Sequence, residues 1–93
     1  MAVEIISPDS RAIDEVENFR EYERGGVREY WLIDPERRHA EFYRRGRDRL
    51  FHRISVGEDG VLRSTVVKGF WLRVNWLWEL PPVLEVLKQL ELV

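Results

Sequence analysis

Glu4 is a carboxylate set inside Ala2-Val3-Glu4-Ile5-Ile6, a short run dense in β-branched residues. Such a run reads as a buried strand. A carboxylate there is costly unless a cation or hydrogen-bond donors meet it, although at position four of the chain it could also face solvent at a strand end. Asp14 and Asn18 follow at a spacing of four, so on a helix they share a face. A helix laid beside the Glu4 strand could aim both of them at Glu4. Two carboxylates and an amide oxygen would then offer the hard oxygen ligands that magnesium or manganese takes. The competing reading, an acidic helix face in solvent, is the one that spacing alone favours.

A second chemistry is suggested by charge. Residues 37–53 carry seven Arg against Glu41 and Asp48, whereas residues 1–36 carry ten acids against four Arg, in a chain of net charge -2. A basic segment on an acidic protein could meet phosphate. Arg45, Arg47 and Arg49 are the candidate nucleic-acid contacts, with Phe42, Tyr43 and Phe51 interleaved for stacking. They share one side of a strand pair only if the turn at Gly46 leaves the register unchanged; otherwise the segment is the solvated face of a hairpin. Trp71, Trp76 and Trp78 fit a core or a subunit interface better than a platform for bases. His39 and His52 have no partners at ligand spacing, which speaks against zinc, and the absence of cysteine removes disulfides, thiolate sites and cysteine nucleophiles.

Stepping along the chain, Ser7, Asp9 and Ser10 are possible caps for a helix, and Pro8 suits a first helical turn. Ile13, Val16, Phe19 and Tyr22 recur every third position from about Arg11 to Arg24, which predicts an amphipathic helix stopped by Gly25-Gly26. Strands are predicted over Val27–Ile33, Ala40–Arg45, Arg49–Val56 and Val61–Lys68, with Gly57–Gly60 as the clearest hairpin loop. Residues 69–74 read as extended, Asn75–Trp78 as a short helical turn, and the segment after Pro81-Pro82 as a C-terminal helix with Val83, Val86, Leu87 and Leu90 in one stripe. The expected order is β-α-β-β-β-β-α, an α/β or α+β unit with a mixed sheet. Ninety-three residues make one small domain with a small core, for which a partner subunit is a reasonable expectation. The start has neither the basic nor the apolar region of a signal peptide, and no apolar run is long enough to span a bilayer. The expectation is a soluble, cytoplasmic protein.

Residues 3–35 resemble one family. The resemblance rests on Val3-Glu4-Ile5-Ile6-Ser7-Pro8, on Asp14 and Tyr22 at their spacings, and on Gly26-Val27-Arg28-Glu29-Tyr30-Trp31-Leu32-Ile33-Asp34-Pro35. A weaker echo follows at Gly69–Val74 and Leu77-Trp78. The pattern is similar to the Uma-two family of the PD-(D/E)XK restriction-endonuclease-like superfamily. That resemblance implies a mixed sheet flanked by helices and a magnesium- or manganese-dependent phosphodiesterase acting on DNA. Carried across, Glu4 matches the second metal-binding acid and Asp14 the helix acid. Asn18 stands where the family has a lysine, so a positive charge is missing there. The strand with the first acid would precede Ala2. The expectation is therefore a single shortened domain over residues 1–93, with weak or absent nuclease activity, in a homodimer or with a second chain completing the sheet. The alternative is a non-catalytic interaction or assembly module that buries Trp71, Trp76 and Trp78 against a partner.

Overall fold

The structure, a computed structural model, describes residues 1–6 and 12–89, with the side chains of 12–15, 81, 84, 88 and 89 outside the description. The capping roles expected of Ser7, Asp9 and Ser10, and the inward turn expected of Asp14, fall outside it.

Tyr30 and Trp31 define the two sides of the molecule. Both are fully buried and lie in β2 (Glu29–Asp34), where alternation sends neighbouring side chains to opposite faces. β2 has β1 (Ala2–Ile5) parallel to it on one side and β3 (His39–Arg45) antiparallel on the other, with β4 (Phe51–Arg53) beyond β3. Parallel neighbours need a crossover, and α1 (Ala12–Arg24) lies within it. Ala2, Tyr30 and Phe51 meet Phe19 and Tyr22 of α1 on one face. Val3, Trp31, Ile33 and Phe42 form the opposite face, covered by Leu62, Leu72, Leu77 and Leu87. These four come from a two-stranded sheet, β5 (Val61–Arg63) with β6 (Trp71–Arg73), and from α2 (Trp76–Glu79) and α3 (Pro81–Gln89). The result is a mixed α/β arrangement, mostly antiparallel and flanked by small helices, compatible with the restriction-endonuclease-like class expected.

Several boundaries differ from the sequence reading, each for a local reason. β2 starts at Glu29 rather than Val27, because the Gly25 and Val27 amides close α1 by donating to the Glu21 and Tyr22 carbonyls at 2.8 and 3.1 Å. Gly26 takes φ 83° there, a conformation glycine adopts without steric cost. β4 begins at Phe51, since Arg49 (φ 68°) and Leu50 belong to the turn closed by Gly46 N–H on the Leu50 carbonyl. β5 ends at Arg63 because Ser64 Oγ accepts from the Val66 and Val67 amides, which bends the chain out of the ladder. Gly57–Gly60 is a tight turn, with Gly60 N–H on the Gly57 carbonyl at 2.9 Å. It joins no hairpin, however, because β4 and β5 belong to different sheets. β6 is an added strand, formed from the segment read as extended. No described helix is long and apolar enough to cross a membrane.

Two turns are held by carboxylates. Asp48 accepts from the Leu50 amide and meets His52 Nε2 at 2.8 Å; Asp59 accepts from the Val61 amide and from Arg63 Nη2. The backbone bond to Leu50, then His52, holds the Asp48 carboxyl below its ordinary range, and the bond to Val61, then Arg63, does the same for Asp59.

Two outcomes test this packing. Trp31→Ala is expected to cost about 3–5 kcal/mol of stability, read by chemical denaturation; a cost under ~1 kcal/mol would contradict its central place. Because the Asp48 and Asp59 carboxyls are depressed, their contribution is present above the unfolded carboxylate range and lost as pH falls through the folded values. Carboxyl-carbon NMR titration should show both titrating below the ordinary aspartate range, and titration within that range would contradict the turn geometry.

Candidate functional site

Glu4 is buried on the helical face of the sheet; Asp34, at the end of β2, is buried too, and there it accepts from the Arg37 amide and meets the Arg37 guanidinium. Glu4 lies in β1 opposite Leu32, so Tyr30, aligned with Ala2, is its diagonal neighbour on the same side of the parallel pair. The Tyr30 hydroxyl donates to Glu4 Oε2 at 2.5 Å. Asn18 Nδ2, reaching down from α1, donates to Glu4 Oε1 at 2.8 Å. Only 8% of Glu4 remains exposed, so these two donors replace the water its oxygens would otherwise hold. Tyr30 is itself fixed by rings: Phe19 lies edge-on, Tyr22 is tilted against it, and Tyr43 and Phe51 stack on it at centroid distances of 5.1–6.2 Å. Burial pushes the Tyr43 phenol up, helped by its hydrogen bond to Glu41, so it stays protonated beside Tyr30.

The helix thus brings Asn18 to Glu4, while the Asp14 side chain lies outside the described residues. As a place for magnesium or manganese the described atoms fall short. Among the described residues no three His, Cys, Asp or Glu side chains converge, and the groups that face Glu4 are a phenol and an amide nitrogen. Those are hydrogen-bond donors, where a hard cation needs oxygen acceptors. The arrangement fits an anion stabilised by neutral dipoles, and no hydrolytic step is derived through a metal.

The three candidate arginines are separated by the turn. The register places Arg45 opposite Phe51, so the loop from Gly46 to Leu50 resets it and leaves Arg47 and Arg49 exposed at the tip. Arg45 is half-buried, with Nε donating to the Glu23 carbonyl at 3.1 Å. Glu23 also accepts from the Phe51 amide at 2.7 Å through Oε2, tying the end of α1 to the hairpin. His39 and His52 each sit near one carboxylate, Glu41 and Asp48.

Sequence reasoning missed Glu29. This residue is fully buried at the start of β2, on the Trp31 face. Trp31 Nε1 and Ser64 Oγ donate to its Oε2, both at 2.8 Å. The Thr65 amide and hydroxyl donate to Oε1, both at 2.7 Å. Its signal was available: Glu29 opens an apolar strand just as Glu4 sits in one. What the sequence did not show was the loop, since residues 64–65 read as strand. No buried side-chain nitrogen or oxygen among the described residues lacks a partner.

A family model, Uma2, whose description is "Putative restriction endonuclease", matches residues 1–75. That span holds both buried glutamates, Tyr30, Asn18 and all of the candidate arginines. A comparison with curated proteins gave no match.

Replacing Glu29 by Ala strands four donors, and each buried donor left unmet costs roughly 1–3 kcal/mol. Water entering the gap offsets part of that, so a loss of about 3 kcal/mol or more is expected. Amide exchange at Thr65 should accelerate with it. A loss under ~1 kcal/mol with unchanged exchange would show that Glu29 does not hold the loop.

Proposed function

The chain belongs to the Uma2 family, and from that premise we propose that it is a DNA-directed, restriction-endonuclease-like domain whose hydrolytic site is degenerate. The observation that carries the reading is the Asn18–Glu4 hydrogen bond. Asn18 stands where the resemblance places a lysine, and it meets the acid with an uncharged amide. A lysine there would present a positive charge to the carboxylate and to a phosphate approaching it. The amide holds Glu4 in place but adds no positive charge against the negative charge that develops on the phosphoryl oxygens. Tyr30 occupies the second carboxylate oxygen, so Glu4 serves as an acceptor for its neighbours. The family's usual metal, magnesium or manganese, would supply an activated water and charge neutralisation when bound; in this reading the weak ligand set around Glu4 keeps its affinity low. Asp14 is proposed as the helix acid of the same site, and the basic β3–β4 hairpin as the part that meets the DNA backbone.

A second reading concerns assembly. β1 is an edge strand, with β2 as its neighbour among the described residues, while Ala2 and Val3 are buried. A sheet edge with buried side chains suits completion by a second chain or a second copy. The tryptophans fit that role less evenly: Trp71 is 52% exposed and leans on Trp76, whereas Trp76 and Trp78 pack against the core.

Supercoiled-plasmid nicking with magnesium or manganese tests the first reading. The expected result is cleavage near background for the unaltered chain, no change for Glu4→Gln, and a measurable gain for Asn18→Lys. Robust nicking by the unaltered chain that disappears in Glu4→Gln would overturn the assignment of a degenerate site.

A further inference from the structure

At the end of the sheet where β2 begins and β3 finishes there is a cavity of about 550 Å³, lined by Arg28, Arg44 and Arg45 with Gly26, Gly46 and Thr65. Its described lining has no acidic side chain. Other arginines of this acid-rich chain have found carboxylates: Arg37 lies by Asp34, Arg53 by Glu41 and Arg63 by Asp59, all within 4 Å. Arg28 and Arg44 make no ion pair or side-chain hydrogen bond among the described residues. Arg45 commits only Nε, to the Glu23 carbonyl, and keeps its terminal nitrogens for another acceptor. The backbone fixes the three together, because Arg45 N–H donates to the Arg28 carbonyl at 2.8 Å and Arg44 is the ladder partner of Glu29.

The wall of this cavity is also built by chemistry rather than left to a loose loop. Thr65 is clamped by its amide and hydroxyl to the buried Glu29 carboxylate. Glu29 is spent on four neutral or backbone donors and is buried behind that wall; its charge offsets part of the field, which leaves one carboxylate against the three arginines of the lining. Arg44 pairs across the ladder with Glu29 on the Trp31 face and Arg45 with Phe51 on the helical face, so the arginines line the cavity from both sides of the sheet end, and a concave wall concentrates their field. Planar guanidinium forks match the oxygens of phosphate and can bind them two at a time.

We propose that this cavity binds a phosphate oxyanion, with Arg28 and Arg44 as its principal contacts and Arg45 as a partly pre-oriented third. The chemistry recognised is a phosphate group, carried either by a nucleic-acid backbone or by a small free phosphate. The site is separate from Glu4, which aligns with Leu32, four residues and roughly 13 Å along β2 from Arg28 at ~3.3 Å per residue. The proposal rests on the nuclease reading only for the polymer source, and it survives if hydrolysis at Glu4 fails.

The test uses the full chain and two probes, inorganic phosphate and a short DNA duplex, followed by amide NMR titration with calorimetry. Saturable shifts at Gly26, Arg28, Arg45, Gly46 and Thr65 are expected. Arg28→Ala and Arg44→Ala should each weaken binding by about tenfold or more, as for hydrogen bonds to a charged group. Arg20→Ala, which removes an exposed charge from α1, should change it less than about twofold, as screened surface charges do. Loss of duplex binding in both cavity variants places a backbone phosphate there. A response to inorganic phosphate alone places a small phosphate there and supports the site equally. The proposal is overturned if neither probe shifts these amides, or if Arg28→Ala and Arg44→Ala weaken binding no more than Arg20→Ala does. Unchanged amide dispersion in each variant establishes that it is folded.

Discussion

Two glutamates are buried on opposite faces of one four-stranded sheet, and each is satisfied by donors that carry no charge. Glu4 takes a phenol and an amide; Glu29 takes an indole, two hydroxyls and a backbone amide. A buried carboxylate without such partners would destabilise a chain this small, so the neighbouring elements must arrive in the right place. The Glu4 pair fixes α1 against β1 and β2. The Glu29 set fixes the β5–β6 loop against the far end of β2. Strand β2 supplies Tyr30 to one side and Trp31 to the other, which makes it the element through which both clusters are coupled.

That coupling explains what was legible in the sequence. The helix over 12–24 was legible in the apolar stripe, of which Phe19 and Tyr22 pack on the sheet while Val16 stays exposed, and Gly26 stops it where its positive φ requires. β1, β2 and β3 follow from dense β-branched and aromatic runs. The burden of a carboxylate in an apolar run was visible at Glu4, and the helix residue that meets it, Asn18, was visible from its spacing to Asp14. Tyr30 was not, because its role depends on the parallel register that puts it diagonal to Glu4. The loop at Ser64-Thr65 was not either. Val61–Lys68 has the composition of a strand, and only the side-chain bonds to Glu29 and the Ser64 bends end it after Arg63. The basic segment read as a one-sided stripe conditional on the Gly46 turn, and the turn reset the register.

The two clusters also divide the functional argument. Around Glu4 the protein offers hydrogen bonds that hold an anion still, which suits positioning more than hydrolysis. At the end of the sheet, Glu29 shapes a wall and offsets only part of the charge of the three arginines that line the cavity beside it.

The central claim, that Glu4 is an acceptor for Tyr30 and Asn18 and not the anchor of a metal site, is tested most directly by manganese titration followed through the Asn18 side-chain amide and the Tyr30 ring. Paramagnetic broadening falls off steeply with distance, so an ion on Glu4 would erase both signals. The account predicts that they persist unchanged at manganese levels where surface carboxylates already show weak, unsaturated broadening. Saturable loss of the Asn18 and Tyr30 signals, abolished in Glu4→Gln, would contradict it.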